Sequence, residues 1–254
     1  MPSYTIANEN IPADQLSRIY LYAKELYKLP KRSDLDLILN VAINNPDRFP
    51  SINITGQKNA QNYFNRWIKS YLDAINNPPS KRIANPKSAC TDPAIAVIVK
   101  ATQGMSSSES TIGENTHNLF MSAENIQGNL LEEYIASKTR PYGFLWCAGN
   151  VLRAIDFCNT SGSLLLQIKN KSNTENSSSS NIREGTTIEK WYRLGTRTQD
   201  GIKYPDYKWN ILNQLISNNR SEGFNLPQCN MTENDYEAFL TKVATNNKNL
   251  ITNR

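Results

Sequence analysis

Asp156, Gln167 and Lys169 are an acid, an amide and an ammonium set at the ends of two short apolar runs. A carboxylate can hold a divalent cation such as Mg²⁺, and an amide oxygen can complete its protein ligands. A lysine can position or deprotonate the attacking water and offset charge on a phosphate. Brought to one point, the three describe a metal-dependent phosphodiesterase site.

The elements that must bring them there lie between residues 142 and 171. Three apolar runs, Tyr142–Ala148, Val151–Cys158 and Ser163–Lys171, are separated by the turn formers Gly149-Asn150 and Asn159-Thr-Ser-Gly162. That pattern predicts an antiparallel three-strand meander. With a period of two, Leu164, Leu166 and Ile168 share one face, and Gln167 and Lys169 share the other. Asp156 lies one turn away on the preceding strand, so an ordinary register puts it beside Gln167 and Lys169.

Ile155-Asp156 followed by Gln167-Ile-Lys169 resembles the PD-(D/E)xK nuclease signature, with Ile in place of Pro and Gln in place of the second acid. The polar block from Gln167 through Arg193, with Gly128-Asn-Leu-Leu-Glu-Glu133 and Trp146-Cys-Ala-Gly-Asn150, is similar to the SinI-like type II restriction endonucleases. The likeness covers about residues 120 to 215. It implies a restriction-endonuclease-like α/β fold, a mixed sheet flanked by helices at 122–138 and 187–197. It also implies Mg²⁺-dependent hydrolysis of both strands of double-stranded DNA at a short site of the GG(A/T)CC type. A homodimer and a partner DNA cytosine methyltransferase follow from the same resemblance. Asp156 and Gln167 would be metal ligands and Lys169 catalytic. A glutamate on the preceding helix would approach the metal or the lysine, and Glu133 is placed there, although a solvated carboxylate on the helix flank accounts for it equally well. The acid that compensates for Gln167 could also be Glu175 or Glu184.

On composition alone, residues 170 to 182 are a linker. They begin at the end of the presumed catalytic strand, however, and so are read as a DNA-contacting loop, with Asn170, Asn173 and Asn176 suited to base edges and Ser177 and Ser178 to phosphate oxygens. Arg183 joins this set. Thr186 and Thr187 are expected to open a helix whose N-terminus clamps phosphate, leaving Lys190, Arg193 and Arg197 on its outer face.

The rest of the chain frames this core. Its 254 residues, 39% hydrophobic and 20% charged, suit one large folded domain or one with a small appendage, and a net charge of +5 discriminates little. Cysteines 90, 147, 158 and 229 form no C-x-x-C pair, and with His117 the single histidine a zinc site of the usual spacing is not expected. Cys147 and Cys158 sit in apolar runs, where buried free thiols are expected. The N-terminus carries Glu9 and Asp14 and no long apolar run, so neither a signal peptide nor a membrane span is expected, and the default location is cytoplasmic.

Helices are predicted at 14–28, at 34–44 and at 57–76, the last with an apolar stripe through Tyr63, Phe64, Trp67 and Ile68 that reads as core, not as base-stacking residues. Pro93 starts another, residues 102–117 read as a surface loop, Ser122 caps the helix before the meander, and Thr232 caps a last one. The division is a mainly helical region over 1–118 and a nuclease core with DNA-contacting segments over 119–254. Two other functional classes stay open: a structure-specific or repair nuclease, and a non-catalytic DNA-binding protein in which Gln167 marks a decayed site.

Overall fold

The computed structural model describes residues 3–83, 93–171, 186–220 and 226–251. Three helices come first, α1 (Ala13–Leu26), α2 (Asp34–Asn44) and α3 (Ala60–Asn76), close to their predicted bounds. Their starts follow from the sequence: the Asp36 carboxylate accepts from the Ser33 N–H at 2.6 Å at the start of α2, and Asn59 Oδ1 accepts from the Asn62 N–H at 2.8 Å for α3. The α3 stripe is core as predicted, Tyr63, Phe64, Trp67 and Ile68 being fully buried. Edge-to-face ring contacts from Tyr20 to Phe64 and Trp67, at 5.8 and 6.0 Å, lock α1 to it.

Next come α4 (Pro93–Gln103) and α5 (Ser107–Thr139). The surface loop expected over 102–117 is mostly helix. Ser106 and Glu109 form a capping box that starts α5 one residue later, well before the expected cap at Ser122. The polar composition of this first half hid it, because it has no apolar stripe to read.

Five strands follow in sheet order β1 (Phe144–Trp146), β2 (Phe157–Asn159), β3 (Leu165–Lys171), β4 (Ile188–Gln199) and β5 (Ile202–Tyr207). The first three are the predicted antiparallel meander, with Trp146 opposite Phe157 and Phe157 opposite Leu166. Strand β4 runs parallel to β3, with Gln167 beside Lys190 and Lys169 beside Tyr192, and β5 returns antiparallel to it. Helices α6 (Trp209–Asn218) and α7 (Glu233–Asn246) close the chain, Thr232 capping α7 as expected.

The helix expected at 187–197 is therefore a strand. Ile188 and Trp191, three residues apart, are buried on opposite faces of the sheet. Burial on both sides erases the alternation that marks a strand and imitates helical spacing.

Each face of the sheet carries its own core. Leu145, Cys158, Leu165 and Ile188 pack against α1 to α3, while Phe144, Phe157, Leu166, Ile168 and Trp191 pack against α5, α6 and α7. The result is the expected mixed sheet between helices, with a helical N-terminal region on one face. Among the described residues, no helix is long and apolar enough to cross a membrane.

Candidate active site

The segment from Cys147 to Asp156 is irregular, and its shape is set by its neighbours. Gly149, Asn150 and Ala154 all take positive φ, at 75°, 57° and 63°. At Gly149 a Cβ would sit 2.3 Å from the Ser70 carbonyl oxygen of α3, so only glycine fits. Ser70 Oγ donates to the Gly149 carbonyl at 2.6 Å, and the Trp67 indole N–H donates to the Val151 carbonyl at 2.8 Å. The segment is thus fastened along α3, and it ends on Asp156.

Asp156 stands between strands. Its N–H donates to the Leu166 carbonyl at 2.9 Å, and its carbonyl accepts from the Cys147 N–H at 2.9 Å. One carboxylate oxygen accepts from the Ile168 N–H at 2.7 Å. Burial pushes this carboxyl up, against the lowering effects of the Ile168 N–H and the Lys169 ammonium. Gln167 is buried on the neighbouring strand, and its Oε1 has no hydrogen-bond partner.

A second carboxyl comes from α5. Glu132 accepts from the Trp146 indole N–H at 3.3 Å. Burial and then the charge of Asp156 push it well above the ordinary range, while Trp146, Lys169 and Arg82 pull it down. Glu132, Asp156 and Gln167 line one cleft of about 480 Å³, with Arg82, Asn129 and Trp146 among its walls.

Glu133, the glutamate chosen from the sequence, turns elsewhere. It accepts from Ser80 N at 2.8 Å and Ser80 Oγ at 2.5 Å, fastening the Pro79–Lys81 turn to α5. One residue along a helix is a rotation of about 100°, enough to carry Glu133 past the cleft and bring Glu132 into it. The trace in the sequence is the polar i, i+3 pair Asn129 and Glu132 on the flank of an apolar stripe.

Of the expected DNA contacts, Lys190 is exposed and on the same sheet face as Gln167. Asn170 and Arg193 are on the opposite face and are not free for DNA. Arg193 is buried, donates from Nε to Asn170 Oδ1 at 2.9 Å, pairs with Glu233, and lies 5.5 and 5.3 Å from the Tyr207 and Tyr236 ring centres. Gln127 donates to the same Asn170 oxygen at 3.1 Å. The two-residue alternation of a strand, not the helical rotation assumed, sends Arg193 inward. Thr186 and Thr187 lead into β4 instead of a helix, so no helix N-terminus is available for them to form a clamp. Asn173, Asn176, Ser177, Ser178 and Arg183, with Glu175 and Glu184, lie outside the described residues.

Among the described residues no three His, Cys, Asp or Glu side chains cluster to hold a metal. What the cleft offers is two carboxylates and an orphaned amide oxygen, all hard oxygen donors. The unpartnered Gln167 Oε1 and the two raised carboxyls are what a cation of the Mg²⁺ type would relieve. Cys147, in the wall of the cleft, and Cys158 are buried free thiols, as expected, with sulfurs 3.8 Å apart.

A mixed sheet between helices, with a glutamine and a lysine on one face of its central strand and an acid just ahead of the neighbouring strand, belongs to the restriction-endonuclease-like class of α/β folds. The chain belongs to the SinI restriction endonuclease family, whose profile matches residues 74–224, more than half of it. It is 32% identical over 163 residues to the type II restriction enzyme Eco47I of Escherichia coli, a match covering 63% of this chain and 64% of that one. It is 51% identical over 81 residues to the type II restriction enzyme SinI of Salmonella infantis, 30% of this chain and 35% of the relative. The matched stretches thus span less than two thirds of either relative.

Proposed function

We propose that the chain is a type II site-specific deoxyribonuclease that hydrolyses phosphodiester bonds in double-stranded DNA. The observation that carries this reading is the meeting of Glu132, Asp156 and the unpartnered Gln167 oxygen in one cleft, with Lys169 near enough to lower both carboxyls. Family membership and the names of the two relatives support it.

Glu132, Asp156 and Gln167 Oε1 would hold a divalent cation, with Mg²⁺ the fitting choice for an all-oxygen set. Such a cation, when bound, supplies Lewis-acid stabilisation of the phosphate and a more acidic water. Lys169 orients the attacking water, helps remove its proton, and offsets charge gathered on the phosphate oxygens. Lys190, exposed beside Gln167, adds positive charge on the same face and steers the DNA backbone to it. Trp146 fixes the Glu132 carboxyl through its indole N–H, and α3 fixes Asp156 through Gly149 and Val151.

The target is taken as a short two-fold site of the GG(A/T)CC type, cut by a homodimer whose symmetry matches it. A DNA cytosine methyltransferase would protect the host's own copies of that site, and both would act in the cytoplasm.

The test is digestion of plasmid DNA by the purified protein with Mg²⁺ or with EDTA. Discrete fragments with Mg²⁺ and none with EDTA are expected. Cleavage confined to junctions or damaged DNA would favour a repair nuclease, and a gel shift without any cleavage would favour a binding protein with a decayed site.

A further inference from the structure

Strands β4 and β5 run on past the rest of the sheet. Strand β3 ends at Lys171, beside Leu194. Strand β4 continues to Gln199 and returns as β5, with Thr196 opposite Pro205, Thr198 opposite Lys203 and Gln199 opposite Ile202. Every residue from 196 to 205 is exposed, so both faces of this ribbon are open to solvent. Its tip is the pair Asp200-Gly201, both at positive φ, 52° and 77°, as in the type I′ turn whose twist suits a hairpin. Pairing sets the register and the turn sets the tip, which makes the ribbon a formed element and not a loose loop. A two-stranded ribbon gains little on its own in water, and neither core uses the side chains of this one.

Size and charge fit it to duplex DNA. Its two strands lie about 5 Å apart, and the major groove is about 12 Å wide and 8.5 Å deep. The stretch from Thr196 to Gln199 extends about 10 Å, enough to reach the groove floor. Arg197 and Lys203 outweigh Asp200, and neither cation forms an ion pair with a described residue. Lys190 and Lys169 carry the positive charge back toward the cleft. A polyanion is the partner this charge favours, whereas Lys203 and Pro205 in the edge strand β5 discourage pairing with another sheet.

Strand alternation decides which side meets the bases. Lys169 lies beside Tyr192 and Lys171 beside Leu194. Thr196, Thr198 and the facing Lys203 therefore continue the sheet face of Gln167 and Lys169. Thr196 and Thr198 stand four and six residues beyond Tyr192, about 13 and 20 Å along the strand. At about 3.4 Å per base-pair step, that is the reach from one phosphate to bases about four to six steps away.

We propose that the β4–β5 ribbon reads the DNA sequence, entering the major groove with Thr196, Thr198 and Lys203 toward the base edges, and that the bases read include guanine. The Lys203 ammonium donates to the N7 and O6 acceptors of guanine. Each threonine offers a hydroxyl to a polar base edge and a methyl to thymine. Arg197 and Gln199, on the other face, do not read bases. This deepens the nuclease reading and rests on it in one respect: the duplex lies over the face that bears Gln167 and Lys169.

The experiment is selection by the full chain from random-sequence duplex DNA, with Ca²⁺, which takes the same oxygen ligands, in place of Mg²⁺. Gel-shift titration of the selected duplex and its single-base variants follows. The parent should select a short sequence containing guanine. Thr196→Ala/Thr198→Ala/Lys203→Ala should keep the parent's circular dichroism spectrum, since all three residues are exposed. It should lose about tenfold or more of the discrimination at a guanine position, with weaker loss of affinity for unselected DNA. Arg197→Ala/Gln199→Ala should still select the parent's sequence. If the triple variant loses its native spectrum, Lys203→Gln alone must show the loss at guanine. Uniform weakening with discrimination intact, the signature of phosphate contacts, would overturn the proposal. So would loss of discrimination in the Arg197/Gln199 variant instead, or a parent that selects no sequence. Plasmid digestion with Mg²⁺ separates the two readings: a parent that selects through the ribbon but cuts nothing sinks the nuclease assignment alone. A parent that cuts discrete fragments while the triple variant cuts with the same discrimination sinks the ribbon alone.

Discussion

Replacing Glu132 by Gln tests the electrostatics of the cleft directly, because it removes a charge and keeps the shape and the acceptor for the Trp146 N–H. Burial and the Asp156 charge push the Glu132 carboxyl up to about 8. From an unfolded value near 4.3, at about 1.4 kcal/mol per pH unit, the shift has a ceiling of about 5 kcal/mol. Glu132 keeps part of its surface in the open cleft, where water screens it, so about 2 kcal/mol is the better working figure. The sign follows from proton linkage: the folded chain holds this proton to higher pH than the unfolded chain does. Stability is therefore intact below about pH 4 and is lost as pH rises through the window up to about 8. Glutamine carries no such penalty. In EDTA, Glu132→Gln should melt above the parent at pH 8, by about 4–8 °C for a chain of this length, and the gap should shrink toward pH 5. Excess Mg²⁺ should raise the parent's melting temperature and leave the variant's nearly unmoved, while cleavage by the variant falls. Equal gaps at both pH values, or equal stabilisation of both proteins by Mg²⁺, would refute the reasoning.

Other substitutions probe the neighbours. Lys169→Ala should reduce plasmid cleavage by about 100-fold or more, with DNA affinity in a gel-shift titration changed by less than about tenfold; full residual cleavage would take the lysine out of the chemistry. Gln167→Glu adds a third carboxylate to an oxygen set that lacks one, so calorimetric titration should show Mg²⁺ bound about tenfold more tightly; weaker binding with the fold intact would remove Gln167 from the ligands. Arg193→Ala strands Glu233 and the Asn170 oxygen in a buried network, a loss of about 3 kcal/mol, read as a melting temperature about 6–12 °C lower with gel-shift affinity for DNA unchanged. A normal melt with weakened DNA binding would make Arg193 a phosphate contact after all.

Much of the frame was legible because it rests on local signals. The capping residues Ser33, Asn59 and Thr232 and the α3 stripe each announce a helix within a few neighbours, and the turn formers around 149 and 159–162 announce the meander. Strand period put Gln167 and Lys169 on one face, but bringing Asp156 beside them also took a register that α3 helps to set. What escaped notice depends on distant partners. Strand β4 is buried on both sides by helices far apart in sequence, so Ile188, Trp191 and Arg193 lost the alternation that would have revealed them. Choosing between Glu132 and Glu133 required knowing where Trp146 and Ser80 stand, and no periodicity carries that. The start of α5 was written in Ser106 and Glu109, but the polar run behind them had the look of a loop.

The stitching of Gly149 and Val151 to Ser70 and Trp67 has a practical side for anyone recombining members of this family. A catalytic half moved onto a foreign N-terminal half would keep its strands and lose the track along which its acid is aligned. Successful chimeras should therefore be those whose crossover leaves α3 and the 147–156 segment from the same parent, and random recombination should recover active clones mainly with that pairing preserved.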